Sequence, residues 1–206
     1  MLFTPVFCLR DAPITSSACC SRLQVLVYDG QTAELAKTIS RFKDVALGGA
    51  YRRDGKLIAA GGVDGVVQVF DVNSRLVLRK FRGHRAPVHL CRFSTELYQV
   101  ITGSDDKTIR LWDIPTDKQV TVLSGHSDYV RCGRELPSNP SLFVSGSYDH
   151  TLRMWDLRSN ECVLTMDHGA PIQAMLPMAG GNLLASAGTI DRYAFTHAEA
   201  VCRRCS

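Results

Sequence analysis

The chain has 206 residues, with 24 Lys and Arg against 20 Asp and Glu, so its formal net charge is +4, and 45% of its residues are hydrophobic. This apolar content argues against an intrinsically disordered chain, and no run of about 18 apolar residues is present that could span a membrane. The mild positive charge permits nucleic-acid binding without requiring it. The length alone would suit one large domain or two small ones.

Residues 1–22 are predicted to be an atypical N-terminal segment. An apolar patch lies within residues 2–9, but the nearest basic residue, Arg10, follows the patch rather than preceding it. A secretory signal peptide has the opposite order, so this pattern does not favour secretion. The eight cysteines are too sparse for a secreted disulfide scaffold, which predicts a reduced, intracellular protein.

A repeat begins after this segment. Four short segments end in an aromatic residue followed by aspartate, and their final residues Asp29, Asp71, Asp113 and Asp156 are separated by 42, 42 and 43 residues. Glycine-histidine pairs precede the third and fourth segments, at Gly83-His84 and Gly125-His126. A period of about 40–45 residues that ends in Trp-Asp is typical of WD repeats.

Each full unit contains four short strand signals separated by turn residues, which is the pattern of one propeller blade. The predicted units are 23–39 (partial), 40–81, 83–123, 125–166 and 168–188 (partial). The strands predicted in unit 83–123 are Val88–Phe93, Tyr98–Thr102, Ile109–Trp112 and Val120–Leu123. Those predicted in unit 125–166 are Tyr129–Cys132, Leu142–Ser145, Leu152–Trp155 and Cys162–Met166. The predicted fold class is therefore an all-β WD40-type β-propeller.

The resemblance to WD repeats implies two buried hydrogen-bonded sets of four residues each. In WD-repeat proteins the His of Gly-His, a strand Ser or Thr, a turn Asp and the Trp form one chain of hydrogen bonds. The residues at these positions are His84, Thr102, Asp106 and Trp112 in one unit and His126, Ser145, Asp149 and Trp155 in the next. Unit 40–81 has Phe70 for Trp and Ala60 for Ser or Thr, so it is expected to depend on packing alone.

The combination of Ser, His and Asp also suggests the catalytic triad of a hydrolase. The set occurs twice at the same spacing, however, whereas an enzyme needs one active site. This recurrence favours a structural role for both sets.

Several stretches are more specific than the general repeat. They are Ser40–Asp44, Arg53–Leu57, Leu111–Pro115, His126–Gly133 and Ser145–Thr151. Together they resemble the U3 small nucleolar RNA-associated protein 15 family of nucleolar WD-repeat proteins, over about residues 14–188. The resemblance implies a nuclear and nucleolar component of the small-subunit processome, which acts in pre-18S rRNA processing and supports RNA polymerase I transcription. It implies other WD-repeat and helical processome proteins, and pre-rRNA or small nucleolar RNA, as partners.

The family fold is a seven-bladed propeller followed by a helical domain, and this chain departs from it. After residue 188 no strand ending in Trp-Asp follows, so residues 189–206 are predicted to be an atypical C-terminal tail. We therefore expect an incomplete propeller of about 4–5 blades, an open arc with two exposed blade faces. Such exposed faces predict marginal stability and aggregation of the isolated chain.

Basic residues form the remaining candidate site. They cluster in the loop after residue 51, near the entry to the His84 unit, and on one later strand, and could contact RNA phosphates or a partner protein. The candidates are Arg52, Arg53, Lys56, Arg79, Lys80, Arg82, Arg85 and Arg131. The alternative is a solvated rim without a partner. Cys202 and Cys205 form a Cys-x-x-Cys pair without further ligands, so no metal, cofactor or small-molecule substrate is expected.

The sequence thus favours a non-catalytic scaffold without contact to a membrane. The alternative is a WD-repeat adaptor that recognises peptides, such as the substrate receptor of a ubiquitin ligase. A ring of arginine and aromatic residues at the mouth of the central channel would favour this adaptor. An enzyme is the third class.

Overall fold

The chain folds into antiparallel sheets. The computed structural model describes residues 6–7, 16–21, 24–29, 34–39, 43–95, 98–178, 183–188 and 193–197. These residues form 19 strands in five sheets and contain no helix, which confirms the predicted all-β class. We call the sheets blades I to V in chain order. Within each blade the strands are neighbours in chain order, as in a simple meander.

The strand bounds are as follows. Blade I contains β1 (Val6–Phe7), β2 (Ser16–Ser21), β3 (Gln24–Asp29) and β4 (Leu35–Ile39). Blade II contains β5 (Ala46–Tyr51), β6 (Leu57–Gly62), β7 (Val67–Asp71) and β8 (Val77–Phe81). Blade III contains β9 (Val88–Phe93), β10 (Gln99–Ser104), β11 (Thr108–Asp113) and β12 (Lys118–Ser124). Blade IV contains β13 (Val130–Leu136), β14 (Asn139–Ser147), β15 (Thr151–Asp156) and β16 (Glu161–Asp167). Blade V contains β17 (Ile172–Met178), β18 (Leu183–Gly188) and β19 (Tyr193–His197).

The structure differs from the prediction near both ends of the chain. Ser16–Ser21 pairs along its whole length with Gln24–Asp29, although residues 1–22 had been set apart from the first unit. Tyr193–His197 pairs with Leu183–Gly188, although residues 189–206 had been assigned to a tail. Antiparallel pairing uses main-chain groups, so a strand can form without the Trp-Asp motif that guided the prediction.

The blades stack through their first strands. Strand β5 packs against β9, β9 against β13, and β13 against β17. The second strand of one blade also contacts the first strand of the next, as β6 does with β9. This arrangement is that of an incomplete WD40-type propeller, as predicted.

The hydrophobic core lies between the blades rather than within any one of them. One cluster joins Val69 of blade II to Val88 and Trp112 of blade III. Another joins residues of blade III, such as Ile109, to Phe143 of blade IV. Because residues alternate between the two faces of a strand, each sheet offers apolar side chains to both of its neighbours.

The turn between the second and third strands repeats in three blades. The carboxylates of Asp64, Asp106 and Asp149 each accept the backbone N–H of the residue two positions later, at 3.1, 3.0 and 2.9 Å. The residue directly after each of these aspartates has a positive φ, which is 74° at Gly65 and 69° at both Lys107 and His150. The turn is therefore built by the aspartate in all three blades, including the one without histidine and tryptophan.

Blade II is held by packing around Phe70. This ring is fully buried, and it belongs to a cluster with Ile58 and Ala60 of its own blade and Val25 and Ile39 of blade I. The phenylalanine thus fills the core between blades I and II.

Replacing Phe70 with alanine should lower the free energy of unfolding by about 3–5 kcal/mol, because it removes a large buried ring and leaves a cavity. Urea denaturation followed by circular dichroism measures the change. Leu76→Ala is the control, since Leu76 is 54% exposed and its truncation should cost within about 0.5 kcal/mol. Equal losses in the two variants would contradict this account of blade II.

Candidate functional site

Blade III contains a continuous chain of buried polar side chains. Trp112 Nε1–H donates to Thr102 Oγ1 at 2.8 Å, and Thr102 Oγ1 lies 2.8 Å from His84 Nε2. His84 Nδ1 lies 2.7 Å from Asp106 Oδ2. Because the Asp106 carboxylate can only accept, His84 donates from Nδ1, and its Nε2 accepts a hydrogen bond from the threonine hydroxyl. Every member therefore has a partner within the blade.

Blade IV repeats this chain with serine in place of threonine. Trp155 Nε1–H donates to Ser145 Oγ at 2.8 Å, and Ser145 Oγ lies 2.7 Å from His126 Nε2. His126 Nδ1 lies 2.7 Å from Asp149 Oδ2. The structure thus brings together the four residues that the sequence singled out in each of the two blades.

The glycine before each histidine allows the chain to pass directly over the tryptophan ring. A Cβ atom on Gly83 would lie 2.9 Å from Trp112 Cη2, and one on Gly125 would lie 3.2 Å from Trp155 Cη2. Any larger residue would displace the ring that donates the first hydrogen bond. This contact explains why Gly and His occur as a pair.

The electrostatics keep the aspartates ionised. Burial raises the pKa of Asp149, but hydrogen bonds from Thr151 and His126 outweigh it and lower the pKa to about 2. Asp106 follows the same pattern: burial opposes hydrogen bonds from His84 and Thr108, and the pKa falls below its usual range. Burial lowers the pKa of His126, against the attraction of Asp149, so its ring is neutral at neutral pH. A neutral ring fits the hydrogen-bond directions above.

Ser145, His126 and Asp149 have the hydrogen-bond order of a hydrolase triad, but the hydroxyl cannot reach a substrate. Ser145 and its counterpart Thr102 are both fully buried, and each hydroxyl oxygen already accepts a tryptophan N–H. A nucleophile must meet its substrate within bonding distance, so this geometry favours a structural role.

Arg131 lies apart from the other predicted contact residues, in a network that joins blades III and IV. Its Nη2 lies 3.4 Å from Asp105 Oδ2, and its Nη1 lies 3.0 Å from Nδ1 and 2.7 Å from Nε2 of His89. The guanidinium carbon lies 5.3 and 4.8 Å from the ring centroids of Tyr129 and Tyr148. Arg131 therefore holds two blades together.

Sequence reasoning missed the partners in this network, although a signal was present. His89, Arg131 and Gln173 each occupy the second position of the first strand in their blades, at a spacing of 42 residues. Gln173 Nε2 donates to the Tyr148 hydroxyl at 3.2 Å, which extends the network to blade V. A polar residue that recurs at the same position of the first strand in three blades would have indicated a polar cluster where these strands begin.

The other basic candidates fall into two groups. Arg52 forms an ion pair with Asp54, and Arg53 and Lys56 are exposed in the same turn. Lys80, Arg82 and Arg85 are exposed around the entry to blade III, while Arg79 Nε donates to the carbonyl of Ile114 at 2.8 Å. The structure therefore leaves five of the eight candidates with exposed side chains, in two separate places.

Within the described ranges, no group of three or more His, Cys, Asp or Glu side chains could hold a metal ion. Cys202 and Cys205 lie outside the described residues. No helix long and apolar enough to cross a membrane occurs in the part of the chain that the structure describes.

The comparison with known families agrees with this geometry. The family model described as WD domain, G-beta repeat matches residues 75–113 and 117–156, the segments that carry both tryptophans. The chain therefore contains WD40 repeats. Strands β5, β6 and β7 of blade II lie outside the two matched WD40 repeats and β8 lies within the first, in keeping with the blade's lack of the histidine and the tryptophan.

Curated relatives confirm the more specific resemblance. The chain is 46% identical over 168 residues to the U3 small nucleolar RNA-associated protein 15 homolog of Xenopus tropicalis, which covers 82% of this chain and 33% of the relative. It is 41% identical over 179 residues to the Schizosaccharomyces pombe protein of that name, covering 86% and 35%. With the Saccharomyces cerevisiae protein it shares 34% over 184 residues, covering 87% and 35%. The WD40-repeat chain thus spans about a third of the length of the curated relatives it matches.

Replacing Ser145 with alanine should destabilise the WD40 repeats by about 2–4 kcal/mol, because it leaves the Trp155 N–H and the His126 ring nitrogen buried without a partner. Urea denaturation measures the loss. Ser127→Ala is the matched control on the exposed side of the same blade and should change the free energy of unfolding by no more than about 0.5 kcal/mol. A neutral S145A variant would show that the hydrogen-bonded chain contributes nothing.

The stability of the chain should fall as the pH is lowered from about 7 to 5. Burial lowers the folded-state pKa of His126, and burial with the charge of Arg131 does the same for His89. The unfolded state, with a histidine pKa of about 6.5, therefore binds more protons across this window, and acid favours it. The pKa of Asp149, about 2, lies below the window.

Urea midpoints measured across this pH range provide the test. The slope should be shallower in His126→Gln than in the unaltered chain, whereas His150→Gln, in an exposed turn, should keep the original slope. An H126Q curve as steep as that of the unaltered chain would contradict the assignment.

Proposed function

We propose that this chain acts as a non-catalytic scaffold in ribosome biogenesis. The observation that carries the proposal is its relationship, over more than four-fifths of its length, to proteins named for association with the U3 small nucleolar RNA. The finer role is assembly into the small-subunit processome in the nucleolus, where the complex processes pre-18S rRNA and supports RNA polymerase I transcription. Because the chain corresponds to about a third of each relative, we propose this role for the repeat region that the chain contains.

The burial of the Ser145 and Thr102 hydroxyls supports a scaffold rather than a hydrolase. Both residues serve internal hydrogen bonds in equivalent positions of two blades, as repeated structural elements do. The outer surfaces of the blades and the ends of the strands are therefore the surfaces that partners could contact.

The exposed basic residues support contact with RNA. Lys80, Arg82 and Arg85 lie within six residues of one another at the entry to blade III, and all three are exposed. Such a cluster can neutralise backbone phosphates of pre-rRNA or small nucleolar RNA without reading their sequence. Other WD-repeat and helical processome proteins are the proposed protein partners.

The alternative function, a peptide-recognition adaptor such as a ubiquitin-ligase substrate receptor, has less support. A ring of arginines and aromatic residues at the channel mouth would favour it. Among the described residues, Arg131 lies against the rings of Tyr129 and Tyr148, and its Nη groups are directed at His89 and Asp105. An arginine already engaged in this way has few donors left for a peptide.

Affinity purification of the tagged chain from nuclear extract tests the proposal. Mass spectrometry and RNA sequencing of the eluate should recover small-subunit processome proteins together with pre-rRNA. Recovery of ubiquitin-ligase subunits alone would replace the scaffold by the adaptor.

A charge-reversal variant tests the basic cluster in the same assay. The triple change Lys80→Glu, Arg82→Glu and Arg85→Glu should reduce RNA recovery about tenfold at physiological salt, because three phosphate contacts are lost. The control reverses three exposed charges elsewhere, Arg75→Glu, Lys118→Glu and Arg158→Glu, and should retain RNA. Equal RNA recovery from both variants would remove this cluster from the proposed interface.

A further inference from the structure

A second surface lies at the opposite ends of the first strands from the histidine chains. A groove of about 1030 Å³ is lined by residues from blades II to V, where their first strands end and turn back. Tyr51 ends β5, Phe93 ends β9 and Leu136 ends β13. Leu176 and Pro177, near the end of β17, complete the row. The groove is therefore continuous across four blades.

Half of the described lining residues are apolar or aromatic, and some of them face solvent. Tyr98 is 74% exposed and Leu176 is 44% exposed, although both line the groove. Three prolines, Pro137, Pro140 and Pro177, stand along it. Since proline fixes its own backbone φ, these parts of the wall lose little freedom when a ligand binds.

The described lining of the groove carries an excess of positive charge. It contains four arginines, Arg52, Arg53, Arg92 and Arg134, against two carboxylates, Asp54 and Glu135. Both carboxylates have partners within the groove wall: Asp54 pairs with Arg52, and Glu135 Oε2 accepts the N–H and the hydroxyl of Thr95 at 2.9 and 2.8 Å. The excess positive charge favours an acidic ligand.

The described lining combines arginine, tyrosine and apolar residues and has no lysine. This composition is typical of the centre of protein–protein interfaces, where Lys is depleted. Surfaces that bind nucleic acid are more polar and more strongly basic. We infer that this groove binds an extended segment of a partner protein in which an acidic side chain lies next to an apolar or aromatic one. The inference rests on the proposed scaffold function, since it assigns a chemistry to one of the scaffold's protein partners.

The probe is a library of phage-displayed random peptides of about 12 residues, panned against the purified 206-residue chain. Enriched peptides should contain Asp or Glu adjacent to Leu, Phe, Tyr or Trp. A fluorescein-labelled peptide from the enriched set then gives a Kd by fluorescence anisotropy. Replacing its acidic residue with the corresponding amide should weaken binding about tenfold.

Groove variants use exposed residues, so that the fold is retained. The double variant Tyr98→Ser and Leu176→Ser, and separately Arg53→Glu, should each weaken the peptide at least about tenfold. The controls are Leu78→Ser with Val120→Ser, whose side chains are 42% and 51% exposed on outer strands, and Arg75→Glu. These should change the Kd by less than about twofold, and circular dichroism checks the fold of each.

Two outcomes overturn the inference. The first is enrichment of no acidic–apolar peptide, or of peptides that bind groove and control variants equally. The second is that a labelled oligouridine of about 12 nucleotides binds the chain, is weakened by the groove variants and is not displaced by any enriched peptide, which makes RNA the occupant. If the chain enriches no such peptide but the purification still recovers processome proteins, the groove inference is wrong and the proposed scaffold function is retained.

Discussion

The burial of apolar surface between successive blades is the constraint on which the structure depends. A sheet of three or four short strands presents apolar side chains on both faces, and neither face can be covered from within the sheet. Val69 and Val88 belong to the cluster between blades II and III, and Ile109 and Phe143 belong to the cluster between blades III and IV. Stability is therefore shared between neighbours, and a change in one blade is felt in the next.

The polar chains in blades III and IV follow from the same constraint. Stacking removes the strand hydroxyls and the histidine rings from water, so each must find a partner inside the protein. Thr102 and Ser145 meet this need by linking tryptophan to histidine. Blade II has Phe70 in place of the tryptophan, and this ring belongs to an apolar cluster between blades I and II.

The surfaces suited to binding are made by several blades together. Arg131 of blade IV contacts His89 and Asp105 of blade III at one end of the first strands, and the groove at the other end takes its walls from blades II to V. No single blade supplies either surface, so the binding properties belong to the stack. This is how repeat proteins build extended surfaces from small units.

Much of this could be predicted from the sequence because it is local and periodic. The spacing of Asp71, Asp113 and Asp156 determined the repeat, and the strand Val88–Phe93 was predicted with the bounds that the structure has. The resemblance to WD-repeat proteins implied the members of both polar chains, since each matches a position of that repeat within its own unit. The 42-residue recurrence at His89 and Arg131 was equally visible, but was not used.

The tertiary structure alone decided which segments without a motif join the sheets and which residues of different blades come into contact. The pairing of Ser16–Ser21 with β3 and of Tyr193–His197 with β18 depends on main-chain groups that carry no motif. The division of the basic residues, with Arg131 inside a network and Arg53 beside a groove, depends on how the blades stack. A repeat period determines the position of a residue within its blade, whereas contacts between blades depend on the packing of whole sheets.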